Sequence, residues 1–92
     1  MQIILRPKFQ KKYKKLHANQ LIDLDAAVQT VASNPSIGTQ KTGYLRWLCV
    51  YKFKMVGQQT LLGYSVTSNG DIILTLIDFG SHENFYRDLK RP

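Results

Sequence analysis

Two hydrophobic periods alternate along this chain, and the switches between them mark its elements. Gln2 to Leu5 is a short apolar run with Pro7 close behind. It reads as a strand leading into a helix, because proline is tolerated in a first helical turn. Phe9, Tyr13 and Leu16 then recur at helical spacing with lysines between them, which predicts a short amphipathic helix over roughly 8–18. A second helix is expected over roughly 20–33, with Asn19 as N-cap and Asp23 and Asp25 in the favourable first turns. Leu21, Leu24, Val28 and Val31 share its apolar face, and Asn34-Pro35 ends it. With only a short link between them, the two helices form a hairpin.

After a loop over 35–43 the period changes to two. Tyr44 to Met55 reads as one strand. Leu45, Trp47, Cys49, Tyr51, Phe53 and Met55 lie on one face, expected to be core. Arg46, Leu48, Val50, Lys52 and Lys54 lie on the other, putting three cations in line. Gly57 marks a turn, and Gln59 to Val66 is the next strand. Ser68-Asn69-Gly70-Asp71 predicts a type I′ hairpin into a last strand, Ile72 to Phe79. Gly80 and a capping Ser81 open a final helix, about His82 to Lys90. The order is β-α-α-β-β-β-α. It predicts an α+β fold with an antiparallel sheet packed against an N-terminal helical hairpin and a C-terminal helix.

Length adds one constraint: 92 residues suffice for a single domain, 1–92, with one modest core. No apolar run approaches the span of a bilayer, and the lysine-rich N-terminal region does not resemble a secretion signal, so a cytoplasmic protein without a membrane partner is expected. Charge changes the picture more. Thirteen Lys and Arg oppose six Asp and Glu, a net charge of +7. Arg6, Lys8, Lys11, Lys12, Lys14 and Lys15 all precede the first acid, Asp23. A polyanion or an acidic protein is the partner such a domain favours, although lysines also serve as a solvated face.

Candidate chemistry concentrates at the last strand–helix junction. Of the two histidines, His17 ends a basic helix and is assigned no function. His82 sits at a helix start, with Tyr86 one turn on and Arg87, Lys90 and Arg91 nearby. An imidazole titrates near neutrality and is the usual general acid or base. Set among a phenol and cations, it suits work on a phosphate ester. Cys49 alternates with core positions and is expected to be inert. No metal-ligand spacing, phosphate loop or nucleotide fingerprint is present, so neither a metal nor a cofactor is expected.

These residues resemble the RelE/ParE superfamily of bacterial type II toxin–antitoxin toxins, over essentially the whole chain. The resemblance rests on the basic first helix, the helical hairpin, Asn34-Pro35 before a glycine-containing loop, Gly43-Tyr44-Leu45-Arg46, Tyr51-Lys52-Phe53-Lys54 and Gly80-Ser81-His82-Glu83-Asn84-Phe85-Tyr86. The last segment is most similar to the RelE- and YafQ-type mRNA interferases, which cut mRNA on the ribosome by attack of a ribose 2′-hydroxyl on the adjacent phosphate. The resemblance implies catalytic roles for Lys52, Lys54, His82 and Tyr86. Phosphate contacts would come from Arg46, Lys11, Lys12, Lys15 and Arg87.

The resemblance also implies partners. These are a cognate antitoxin, the chain itself being a monomer or part of a toxin–antitoxin hetero-oligomer, and the ribosome with its mRNA. The chain departs from the pattern in places. An arginine that RelE carries on the next strand falls near Thr60 or Leu61 here, and the additional strand histidine and aspartate of YafQ have no match. Two other functions therefore stay open: a ParE-like protein that inhibits DNA gyrase without cutting RNA, and a chain that acts only within a DNA-binding repressor complex with its antitoxin.

Overall fold

The computed structural model describes residues 1–89. In order, the elements are β1 (Gln2–Leu5), α1 (Pro7–Lys14), α2 (Ala18–Ser33), β2 (Thr39–Gln40), β3 (Cys49–Met55), β4 (Gln58–Asn69), β5 (Asp71–Gly80) and α3 (His82–Leu89). Single 3₁₀ turns at Pro35–Ile37 and Gly43–Leu45 flank β2. The sheet order is β1-β5-β4-β3-β2. The fold is α+β as expected, but the sheet is mixed rather than antiparallel, because β1 pairs in parallel with β5, Gln2 opposite Ile73 through Leu5 opposite Leu76. The two-residue β2, opposite Cys49 and Val50, was not foreseen.

The sheet carries helices on both faces. On one, Phe9 of α1 and Leu24, Ala27 and Val31 of α2 pack on Leu62, Tyr64, Leu74, Leu76 and Phe79. On the other, Phe85 of α3 packs with Leu48, Val50 and Leu61. A hydrogen bond from Tyr13 Oη to Asp25 Oδ1 (2.9 Å) ties α1 to α2. It is also the main reason the Tyr13 phenol is pushed above its usual pKa, since the neutral form is the donor. Tyr64 is fully buried; its hydroxyl donates to Pro35 O (2.7 Å) and accepts from Gly38 N (3.0 Å), fastening the loop after α2 to the sheet.

Several sequence expectations are corrected here. Tyr44–Met55 is not one strand. Gly43, at φ +69°, opens a 3₁₀ turn, and the amides of Arg46 and Leu48 bond back to Gly43 O and Leu45 O. Arg46 therefore lies outside β3 and does not line up with Lys52 and Lys54. Trp47, assigned to core, is 47% exposed, whereas Leu48 and Val50, assigned to the cationic face, are 0% and 3% exposed beneath α3. A strand covered on both faces buries both sets of side chains, which alternation alone does not reveal. His17 caps the start of α2 rather than ending α1, its amide donating to Gln20 Oε1 (2.9 Å), so Asn19 is already helical. At the β4–β5 turn only Gly70 has positive φ (+83°), so the turn is not type I′, which needs two such residues.

Gly63 lies directly under α3. A Cβ at this position would come within 2.5 Å of Phe85 Cζ. Gly63→Ala is expected to destabilise the fold by about 1–3 kcal/mol through overpacking. Combining it with Phe85→Leu should cost less than the sum of the two single changes. Urea unfolding of the four proteins checks this; strict additivity would mean that α3 does not rest on Gly63.

Candidate functional site

The junction between β5 and α3 is set by local bonds. Ser81 O accepts from Phe85 N (2.8 Å), and Ser81 Oγ accepts from Asn84 N (3.3 Å), the expected N-cap. Phe85 is fully buried and pins the helix to the sheet, leaving His82, Glu83 and Asn84 exposed. The imidazole of His82 lies against Tyr86, ring centroids 4.9 Å apart and planes tilted by 60°. Tyr86 in turn meets Phe85 edge-on at 5.2 Å. The predicted His82–Tyr86 pair is thus formed on one face of α3.

Lys41, which the sequence reading passed over, joins this pair. Its ammonium lies 5.3 Å from the Tyr86 ring centroid, a cation–π contact. The backbone places it: Lys41 follows β2, and its amide bonds to Leu48 O (2.9 Å). Nothing in periodicity signals a loop lysine that folds back over an aromatic from another element. Tyr86 also lines a cleft of about 310 Å³ with Tyr44, Leu45 and Leu89.

Lys52 and Lys54 are both exposed and project from the α3 face of the sheet, continuing the alternation of Leu48 and Val50. Lys52 pairs with Leu61, which pairs with Gly80. Lys52 therefore stands two strands, about 10 Å, from the backbone just before His82, at the usual interstrand spacing. Lys54 pairs with Gln59, one step farther toward the β3–β4 turn. The register sets the lysines and His82 on one side of the sheet. Arg46 is exposed, with its carbonyl accepting from Gln40 Nε2 (3.0 Å). Arg87 is exposed, its Nε 3.7 Å from Asp88 Oδ1. Lys90 and Arg91 lie outside the described residues.

The α1 lysines divide. Lys11 and Lys15 are exposed. Lys12 is committed to the fold: its Nζ donates to Phe79 O (2.9 Å) and lies 2.8 Å from Asp78 Oδ1. Asp78 is 3% exposed, accepts from its neighbour's amide at Phe79 (2.8 Å), and has Lys8 Nζ 3.4 Å from its other oxygen. Lys8 reaches on to Asp88 of α3 at 3.7 Å. A lone acid within an apolar strand run was the available sign that some cation must meet it. Cys49 is half-buried, and desolvation raises its thiol pKa, which keeps the thiolate scarce at neutral pH. Among the described residues no three His, Cys, Asp or Glu side chains converge as a metal site, and no helix is long and apolar enough to cross a membrane.

Residues 3–90 match the family model described as the ParE-like toxin of type II bacterial toxin–antitoxin systems. No curated protein and no solved structure gave a significant match.

Removing a partner from a buried carboxylate is costly, because the charge left behind is no longer compensated. Lys12→Ala is expected to destabilise the protein by about 2 kcal/mol, less than for a fully buried pair because Lys12 is part-exposed and Lys8 stays beside Asp78. Lys11→Ala and Lys15→Ala should each stay within about 0.5 kcal/mol of the parent, as exposed substitutions do. Denaturant midpoints measure all three; a neutral Lys12→Ala would release that lysine for a role outside the fold.

Proposed function

The chain belongs to the ParE-like toxins of bacterial type II toxin–antitoxin systems, and from that premise we propose that its poison is a cut in translated mRNA, held in check by a cognate antitoxin. The observation that carries this reading is the exposed His82 lying against Tyr86 at the start of α3, on the same side of the sheet as Lys52 and Lys54.

The reaction is a transesterification. A ribose 2′-oxygen attacks the adjacent phosphorus, the bond from phosphorus to the 5′ oxygen breaks, and a 2′,3′-cyclic phosphate and a 5′-hydroxyl result. His82, as imidazolium, gives its proton to the departing 5′ oxygen. One of Lys52 and Lys54 offsets the charge that builds on the phosphoryl oxygens, and the other is the group placed to take the 2′ proton. Tyr86 stacks a base, a contact worth roughly 1–3 kcal/mol. Lys41, on the Tyr86 ring, holds the phenol in place and adds positive potential.

Two observations favour a second reading, inhibition of DNA gyrase without RNA cleavage. His82 is the only imidazole at the junction, and the family model that matches is the ParE-like one. On that reading the cationic junction is a protein-binding surface.

Brief induction in bacteria, followed by mapping of transcript ends, separates the two. With the wild type, transcripts should be cut within codons. With His82→Ala, cutting should fall by about 10²-fold or more, the usual size of an acid–base contribution, in a protein that remains folded. Growth arrest with intact transcripts in both proteins, together with loss of gyrase supercoiling, would establish the second reading.

A further inference from the structure

The sheet begins at β1, which pairs with β5 alone; among the described residues no strand lies beside its outer edge. Gln2, Ile3 and Ile4 are exposed, and the strand carries neither lysine nor proline, residues that commonly guard an edge. The hydrogen bond from Arg6 N to Leu76 O shows that Arg6 turns its backbone groups toward β5. Orientation alternates along a strand, so Gln2 and Ile4 do the same, while Ile3 and Leu5 turn their N–H and C=O groups outward. Leu5 O is already engaged, accepting from Gln10 Nε2 (3.2 Å). What the edge offers is the Ile3 amide, the Ile3 carbonyl and the Leu5 amide.

We infer that this edge is a self-association surface, on which β1 pairs antiparallel with β1 of a second copy of the chain about a two-fold axis at Ile3. The free groups choose the register. With Ile3 opposite Ile3 of the second copy, each amide donates to the other's carbonyl, and each Leu5 amide reaches the Met1 carbonyl across the axis. Registers centred on Ile4 or Leu5 call on Leu5 O, which Gln10 holds. Side chains fit the same register. Ile3 and Leu5, in line with Leu74 and Leu76, lie on the face of the helical hairpin. There Ile3 meets Ile3, and Leu5 meets Met1. On the α3 face Ile4 meets Gln2. No like charges stand opposite one another, and Ile3 and Ile4, 43% and 41% exposed, gain apolar neighbours.

A second copy suits this edge better than an acidic strand or a phosphate chain, because Gln2–Leu5 has no cation to receive either. Each copy has one β1, so isologous pairing uses the edge up and stops at two. An edge this short makes a weak, concentration-dependent dimer. The axis stands perpendicular to the sheet, which keeps α3 of both copies on one face of the joined sheet. His82 and Tyr86 of each copy stay clear of the junction, since they lie at the far end of β5 from its start beside β1. The pairing goes beyond the proposed activity and holds whether the toxin cuts RNA or inhibits gyrase.

Sedimentation equilibrium of the full chain over a range of concentrations reads the association. The mass should rise toward that of a dimer and no further. Hydrogen exchange followed by NMR should slow at the Ile3 and Leu5 amides as the dimer fills. Ile3→Lys and Ile3→Glu, each checked for folding by circular dichroism, should weaken association by about 10-fold or more, because each sets like charges opposite one another. An equimolar mixture of the two variants should pair again, since lysine then faces glutamate. A monomer at every concentration, assembly beyond the dimer, undiminished pairing of the variants, no recovery in the mixture, or protection centred on another strand would each overturn the inference.

Discussion

The contact between Gly63 and Phe85 is the constraint on which the candidate site depends. A helix as short as α3 does not hold itself together in water, because too few hydrogen bonds offset the cost of nucleation. It persists here because one fully buried ring seats it on the sheet, and that ring fits only where β4 has no side chain. Moving the ring by the width of a methyl group moves His82 and Tyr86 with it. The geometry of the His82–Tyr86 pair is therefore decided from below, by an apolar contact that has no chemistry of its own.

A second constraint acts where β1 ends. Beyond Leu76 the edge of β5 loses its strand neighbour, and the chain turns into α1, which runs back alongside it. Lys12 supplies the donor that Phe79 O would otherwise lack and the countercharge for Asp78. Lys8 extends this network to Asp88 on α3. The two helical layers, on opposite faces of the sheet, are thus linked around its edge by charged groups as well as through the core. Part of the strong positive charge at the N-terminal end is structural, and only the remainder faces a partner.

Membership of a toxin family whose members act with an antitoxin gives the surplus charge its setting. Exposed cations stand on both faces, Lys11 and Lys15 on α1 and Lys52 and Lys54 on the α3 side of the sheet, where the half-buried Lys41 lies against Tyr86. A surface that attracts a polyanionic target also attracts the acidic segment of a protein inhibitor. Electrostatic steering speeds both encounters, so competition between them is decided by short-range fit.

The sequence by itself determined the elements that depend on near neighbours. Helical spacing placed Phe9, Leu24 and Val31 in the core, Pro7 and Asn34-Pro35 bounded the helices, and Ser81 marked the α3 cap. The His82–Tyr86 pair was legible for the same reason, since residues four apart on a helix share a face. Only the tertiary structure decided what depends on residues far apart in the chain. Alternation along Tyr44–Met55 carried no information about a helix on the second face, so Trp47 and Leu48 exchanged the roles expected of them. The parallel pairing of β1, the burial of Asp78 against Lys12 and the placement of Lys41 on Tyr86 all join segments separated by tens of residues. Local periodicity records which side of an element is apolar. Which surface meets that side, and which cation meets a buried acid, is settled only when the whole sheet is assembled.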